Sequence, residues 1–173
     1  MNILAALKPI TTFVLDIDGV LTNGQLLIMP NGLMARSMQV KDGYAMQLAV
    51  KKGYNIIIIS GGDSPEVIER MQKLGITEVH MKVKDKWQCL QYLLLQNQLK
   101  ASEVLFMGDD MPDIEVMQQV AVACCPADAA LDVLAIAAYI SPLKGGEGCV
   151  RDVIEKVLKL NNHWHIDTEV RSQ

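Results

Sequence analysis

Two carboxylates one residue apart, Asp16 and Asp18, close an apolar run that begins at Phe13, and Gly19 follows at once. A strand interior does not bury two charges without partners. Both groups therefore belong just past a strand end, facing something cationic, at the sheet edge where α/β folds bind ligands. Over this stretch alone, a strand running into an Asp-rich turn would read the same way. Three more segments add polar groups in like positions. Four isoleucines lead into Ser60-Gly61-Gly62, Lys86 opens a helix after a short strand, and a run ending at Met107 gives way to Gly108-Asp109-Asp110-Met111-Pro112-Asp113.

Brought together, these groups point to phosphoryl transfer. Clustered carboxylates repel, and one takes up a proton unless a cation sits among them. Oxygen ligands without imidazole or thiolate favour Mg²⁺, which binds one or two carboxylates plus a substrate phosphate. Asp16 would be the nucleophile, since a carboxylate is ionised at neutral pH and its phosphorylated form is a reactive acyl phosphate. Asp18 would protonate the leaving oxygen and then deprotonate the attacking water, a role that needs a raised pKa of the kind like-charge crowding supplies. Ser60 and Lys86 would hold the non-bridging phosphoryl oxygens. Asp109 would ligate the metal with Asp110 behind it, and Asp113 would fix Lys86. Each match also has an ordinary structural reading: a turn at Ser60, a solvated first-turn lysine at Lys86, a helix cap at Asp110 to Asp113. Taken jointly, four loops at one sheet edge would have to imitate one site.

The elements that must position these groups alternate along the chain. Strands are expected at 11–15, 55–59, 78–81, 103–107, 120–123 and 139–140, the fifth stopping at Cys124-Cys125-Pro126. Helices are expected at 1–8, 42–52, 64–74, 85–98, 114–119, 129–136 and 150–160. This order implies an α/β doubly wound, Rossmann-like parallel sheet with helices on both faces. Right-handed crossovers then put the strand ends on one edge. Pro30-Asn31-Gly32, between residues 25–29 and 33–40, signals a protruding β-hairpin over about 24–40. Its apolar residues suggest that it packs against something, such as another subunit. No cap domain has room between Gly19 and Ser60 or between Ser60 and Asp109. The 173 residues fit one domain, with a polar, mobile tail over 161–173.

Composition excludes several classes. A net charge of −4 leaves no basic footprint for nucleic acid. No run approaches the ~20 apolar residues that span a bilayer, and the first nine residues make no signal peptide. Cys89, Cys124, Cys125 and Cys149 form neither a zinc spacing nor a secreted disulfide framework. Buried, reduced thiols in a cytoplasmic protein are expected.

Asp16-Ile17-Asp18-Gly19-Val20-Leu21-Thr22, Ser60, Lys86 and Gly108 to Asp113 resemble the four motifs of the haloacid dehalogenase superfamily of phosphatases. The branch most similar is the 3-deoxy-D-manno-octulosonate 8-phosphate (Kdo 8-phosphate) phosphatases. Gln39-Val40-Lys41-Asp42-Gly43-Tyr44 resembles its segment after the hairpin, and Gly145-Gly146-Glu147-Gly148 its terminal loop. The resemblance implies a Mg²⁺-dependent phosphatase of lipopolysaccharide sugar supply, acting on a small phosphorylated sugar acid. It implies that Asp18 offers the metal its backbone carbonyl. It also implies that Asp18, Gln39, Val40, Lys41, Asp42, Gly43, Gly61, Arg70 and Lys86 touch substrate, and that four chains assemble with their hairpins meeting centrally. Three positions depart from the pattern. Gly62 and Glu147 stand where the branch often has Arg, and Asn23 where Asp is common. Losing two guanidinium clamps leaves the nonulosonate 9-phosphates open as substrates. A receiver domain would carry its adjacent acid pair first and a lone acceptor later, the reverse of this chain. A non-catalytic oligomerisation module would not need every chemical residue present.

Overall fold

The computed structural model describes residues 2–170. The chain runs α1 (Ile3–Leu7), β1 (Thr12–Leu15), β2 (Leu27–Ile28), β3 (Met34–Ala35), α2 (Val40–Lys51), β4 (Asn55–Ile59), α3 (Pro65–Lys73) and β5 (Glu78–His80). It continues through α4 (Lys86–Gln96), β6 (Val104–Met107), α5 (Ile114–Met117), β7 (Val122–Cys125), α6 (Leu131–Ile136), β8 (Tyr139–Ile140) and α7 (Cys149–Leu160). Six strands pair in parallel in the order β5-β4-β1-β6-β7-β8. The order steps outward in both directions from β1, as a doubly wound sheet requires.

The central strands are apolar at every position because both faces are covered. Successive side chains point to opposite faces, and the core divides accordingly. Phe13, Leu15, Ile56, Ile58, Leu105 and Met107 pack with α1, α2, α3 and α7. Val14, Ile57, Ile59, Val104 and Phe106 pack with α4, α5 and α6. Cys124 and Cys125 join opposite faces as small buried hydrophobes, so β7 runs through both instead of stopping at Ala123.

Local signals set the helix starts. Ser64 caps α3 by accepting from Val67 N, with Pro65 in the first turn, and Asp85 caps α4 by accepting from Gln88 N at 2.8 Å. The helix expected at 42 begins two residues earlier, because the Gln39 side chain caps it by accepting from Lys41 N.

β2 and β3 form the expected antiparallel hairpin around Pro30-Asn31-Gly32. Met29 N donates to Leu33 O at 2.8 Å, and Gly32 takes the left-handed position at φ 80°. An isolated bridge between Thr22 and Met38 closes its base. Leu27 and Ile28 are 65% and 73% exposed. Only the short turn Ile17–Leu21, this hairpin and α2 lie between β1 and β4, so no cap domain is inserted there.

The tail, expected to be polar, has aromatic and acidic residues with partners on α2, on α7 and at Tyr54 before β4. Tyr54 Oη lies 3.0 Å from His163 Nδ1. Trp164 meets Tyr44 edge-on and lies under the Arg151 guanidinium, 5.2 Å from the ring centroid. Lys51 Nζ reaches Asp167 at 2.7 Å and Glu169 at 2.6 Å. The last three residues of the tail, 171–173, lie outside the described residues.

Candidate active site

Strand register fixes where the polar residues emerge. Leu15 pairs with both Ile58 and Met107, so Asp16, Ser60 and Asp109 leave the sheet at nearly one height. Past β1 the chain makes a wide turn in which Asp16 Oδ1 accepts from Ile17 N at 2.7 Å and Thr22 N donates to Ile17 O at 3.0 Å. Gly19 sits in that turn at φ 89°, and a Cβ there would lie 1.9 Å from Asp109 Oδ2. The glycine is thus required for its conformation and for the approach of the β6 acid to the β1 loop. The terminal glycine loop braces the same turn, with Gly146 N donating to Val20 O at 3.0 Å and Gly145 N to Asp128 Oδ1 at 2.9 Å.

Lys86 is the first residue of α4, where the helix dipole disfavours a cation. Nearby acids outweigh that. Its Nζ lies 2.9 Å from Asp16 Oδ2 and 2.6 Å from Asp113 Oδ1, with the side chain 5% exposed. Asp113 Oδ2 in turn accepts from the amides of Asp109 at 3.0 Å and Asp110 at 3.3 Å. One carboxylate therefore fixes both the lysine and the turn that presents Asp109. Asp110 is itself exposed.

Burial, with the Asp113 charge added, pushes the Asp16 carboxyl up to about 6 against the pull of Lys86. Burial and the charges of Asp16, Asp113 and Asp110 push Asp109 up to about 7. Burial works against the charge of Lys86, but Asp16 and Asp113 outweigh it and hold its pKa above the usual lysine value.

Oxygens of Asp16, Asp109 and Asp113 lie within 4.8 Å of one another. Asp109 Oδ1 is buried and has no hydrogen-bond partner, an arrangement that costs on the order of 1–3 kcal/mol or more for a charged group. Asp113 is committed to Lys86 and two amides, and Asp16 to Lys86 and the Ile17 amide, so the unpartnered oxygen of the cluster is Asp109 Oδ1. Hard carboxylate oxygens this close together suit Mg²⁺, which takes few carboxylates and keeps its waters.

Asp18 departs from expectation. Crowding by like charges does not surround its side chain, which lies outside the acid cluster. It is gripped by Arg36, with Nε 2.7 Å from Oδ1 and Nη2 3.0 Å from Oδ2. Sequence reasoning passed over Arg36, whose signal was a lone arginine on an otherwise apolar hairpin arm. Ser60 Oγ accepts from Gly62 N at 3.2 Å, which leaves its own proton free to donate.

The segment after the hairpin divides. Gln39 caps α2, and Val40 and Lys41 face solvent. Lys41 lines both a cleft of about 520 Å³ along α7, shared with Glu147 and Arg151, and one of about 380 Å³ beside Trp164. Asp42 turns inward: Oδ1 accepts from Arg151 N at 2.7 Å, and Oδ2 is buried without a partner. Burial pushes this carboxyl up to about 6. Gly43 is also buried, and Arg70 Nη2 stands 3.1 Å from where a Cβ on it would be. Arg70, Arg36, Ser64 and Met38 line a cavity of about 260 Å³ between the hairpin and α3. Gly61 is exposed at the strand end.

Comparison with known proteins agrees with this geometry. Residues 75–153 match the family described as haloacid dehalogenase-like hydrolase. The chain is 32% identical over 149 residues to the 3-deoxy-D-manno-octulosonate 8-phosphate phosphatase KdsC of Yersinia pestis, covering 86% of this chain and 80% of that one. It is 31% identical over 157 residues to KdsC of Escherichia coli strain K12, covering 91% and 84%. The crystal structure of the Moraxella catarrhalis phosphatase with magnesium ion, phosphate ion and KDO superposes with a TM-score of 0.90 at 30% identity, covering 93% of each chain. The chain belongs to the KdsC family of 3-deoxy-D-manno-octulosonate 8-phosphate phosphatases, within the haloacid dehalogenase-like hydrolases.

Proposed function

We propose that this chain, acting as a single catalytic domain, hydrolyses 3-deoxy-D-manno-octulosonate 8-phosphate to the free sugar acid and phosphate, in lipopolysaccharide sugar supply. The observation that carries the reading is the cluster in which Lys86 bridges Asp16 and Asp113 beside the unpartnered Asp109 oxygen. Asp16, Asp109 and the Asp18 backbone carbonyl would hold Mg²⁺, which when bound offsets the repulsion between carboxylate and phosphate.

Asp16 attacks phosphorus and the bond to the sugar oxygen breaks, while Asp18 gives that oxygen a proton. Asp16 then carries the phosphoryl group as an acyl phosphate. Asp18 takes a proton from water, the water oxygen attacks phosphorus, and phosphate leaves as Asp16 is regenerated. Lys86 and Ser60 hold the equatorial oxygens through both steps. Asp113 keeps Lys86 in place and Asp110 shapes the turn behind Asp109. Gly61 offers backbone beside the phosphate. Gln39, Val40, Lys41, Asp42, Gly43 and Arg70 are the candidate contacts for the sugar acid, with Arg70 at the cavity next to Arg36.

The departures at Gly62 and Glu147 leave a second substrate class open, the nonulosonate 9-phosphates, on the same machinery. Phosphate release from eight- and nine-carbon keto-deoxy acid phosphates, with and without Mg²⁺, separates the two. Asp16→Asn should abolish release, and turnover by that variant would overturn the nucleophile assignment.

The exposed hairpin supports a homotetramer joined through it. Among the described residues no helix is long and apolar enough to cross a membrane. All four cysteines are free, which supports the cytoplasm as the site of action.

A further inference from the structure

Gly62 does not adopt a positive φ, so its backbone does not call for glycine. Space does. A Cβ at that position would lie 3.2 Å from Arg36 Nη2, 3.3 Å from Asp18 Oδ2 and 3.5 Å from Ser60 Oγ. The first two contacts are tighter than ordinary van der Waals spacing, and they fall on a guanidinium and a carboxylate already locked to each other. Arg36 uses Nε and Nη2 on Asp18, at 2.7 and 3.0 Å, and Nη1 on Met34 O at 3.1 Å. Its side chain is 5% exposed although it springs from a surface hairpin. An arginine there would ordinarily leave its head in water; this one is drawn inward.

Resting on the phosphatase reading, we propose that Arg36 is a positioning residue: the hairpin delivers its guanidinium beside Gly62, where it fixes the Asp18 carboxylate to take the proton from the attacking water. Two parallel N–H···O bonds set the plane of the carboxylate as well as its place, which a lysine ammonium cannot do. Asp18 is otherwise weakly held, since its remaining side-chain contact is the Thr22 hydroxyl at 3.5 Å. Arg36 stays protonated throughout and exchanges nothing with substrate. Its effect is on the geometry of the group that does. Gly62 and Arg36 form one device: a side chain at 62 and the guanidinium from 36 compete for the same volume.

The test is steady-state hydrolysis of p-nitrophenyl phosphate and of Kdo 8-phosphate by the Mg²⁺-loaded enzyme, with thermal melts to confirm that each variant folds. Arg36→Ala should lower kcat by about 100-fold, the effect of a reacting group misplaced by about 1 Å, with KM nearly unchanged. Arg36→Lys should recover only part of the loss. The double variant Arg36→Ala/Gly62→Arg, which supplies a guanidinium to the same gap from the other side, should recover most of it. Added guanidinium ion should raise kcat of Arg36→Ala saturably and leave the unaltered enzyme unaffected. Arg36→Ala with unaltered kcat would overturn the assignment, as would a loss that neither the relocated nor the free guanidinium restores. If the unaltered chain releases phosphate from neither ester, the phosphatase reading itself falls. Turnover by that chain with an indifferent Arg36→Ala removes only the role given to Arg36.

Discussion

Lys86→Met keeps the length of the side chain and removes its charge. The ammonium lies 2.9 Å from Asp16 and 2.6 Å from Asp113, nearly out of solvent, and the Asp109 carboxylate shares the cluster. Removing one member of a buried ion pair costs about 3–5 kcal/mol, because the partner's charge stays buried without compensation. At about 4 kcal/mol, and about 2–4 °C per kcal/mol for a chain of this size, the metal-free variant should melt about 8–16 °C below the unaltered protein at pH 8.

The loss has a definite sign in pH. Folded Asp16 titrates near 6 and folded Asp109 near 7, both above the free value of 3.8. The folded state therefore binds more protons than the unfolded chain in this window, and stability falls as pH rises through it. Without Lys86 both carboxyls move higher still. The deficit of the variant then grows as pH rises through 6 and 7, is full only above the higher values its own carboxyls reach, and shrinks as pH falls below 6, where Asp16 and Asp109 are protonated in either protein. Melts in EDTA at pH 5 and pH 8 measure this, and a third set in Mg²⁺ should narrow the gap, since a ligand of the folded state stabilises it. A variant that matches the unaltered protein at pH 8 without metal would refute the reasoning. So would a deficit equal at the two pH values.

Two further outcomes are expected. Asp42→Asn keeps an oxygen to accept from Arg151 N and removes a carboxyl that burial holds near 6. The unaltered chain loses stability as pH rises from about 4 through 6, by up to about 3 kcal/mol for a shift of two units. The variant should lack that slope, so its melting temperature should gain on the unaltered protein between pH 4.5 and pH 8, and parallel profiles would count against the assignment. Replacing Leu27 and Ile28 by Asp should lower the assembly state measured by sedimentation velocity, since two side chains left 65% and 73% exposed would no longer meet apolar partners. An unchanged sedimentation coefficient would exclude the hairpin as the contact.

The sequence by itself determined the order of elements, the strands buried on both faces and the residue types at the strand ends. The isoleucines of β4 have one stable placement, between two layers of helices, and polar residues placed directly after such runs must emerge at an edge. Local signals were enough there, because strand burial and helix capping act over a few residues. Only the tertiary structure decided which of those polar groups meet. Arg36 reaches Asp18 across 18 positions of chain, by way of a hairpin whose tilt no local pattern specifies. Asp42 looks like its exposed neighbour Lys41 in sequence, yet it turns inward to an amide of α7 109 positions away. The tail reads as polar and mobile, but Trp164 has Arg151 and Tyr44 to rest on. In each case the deciding partner lies on a distant segment, and side-chain geometry across packed elements, rather than composition within one, sets the outcome.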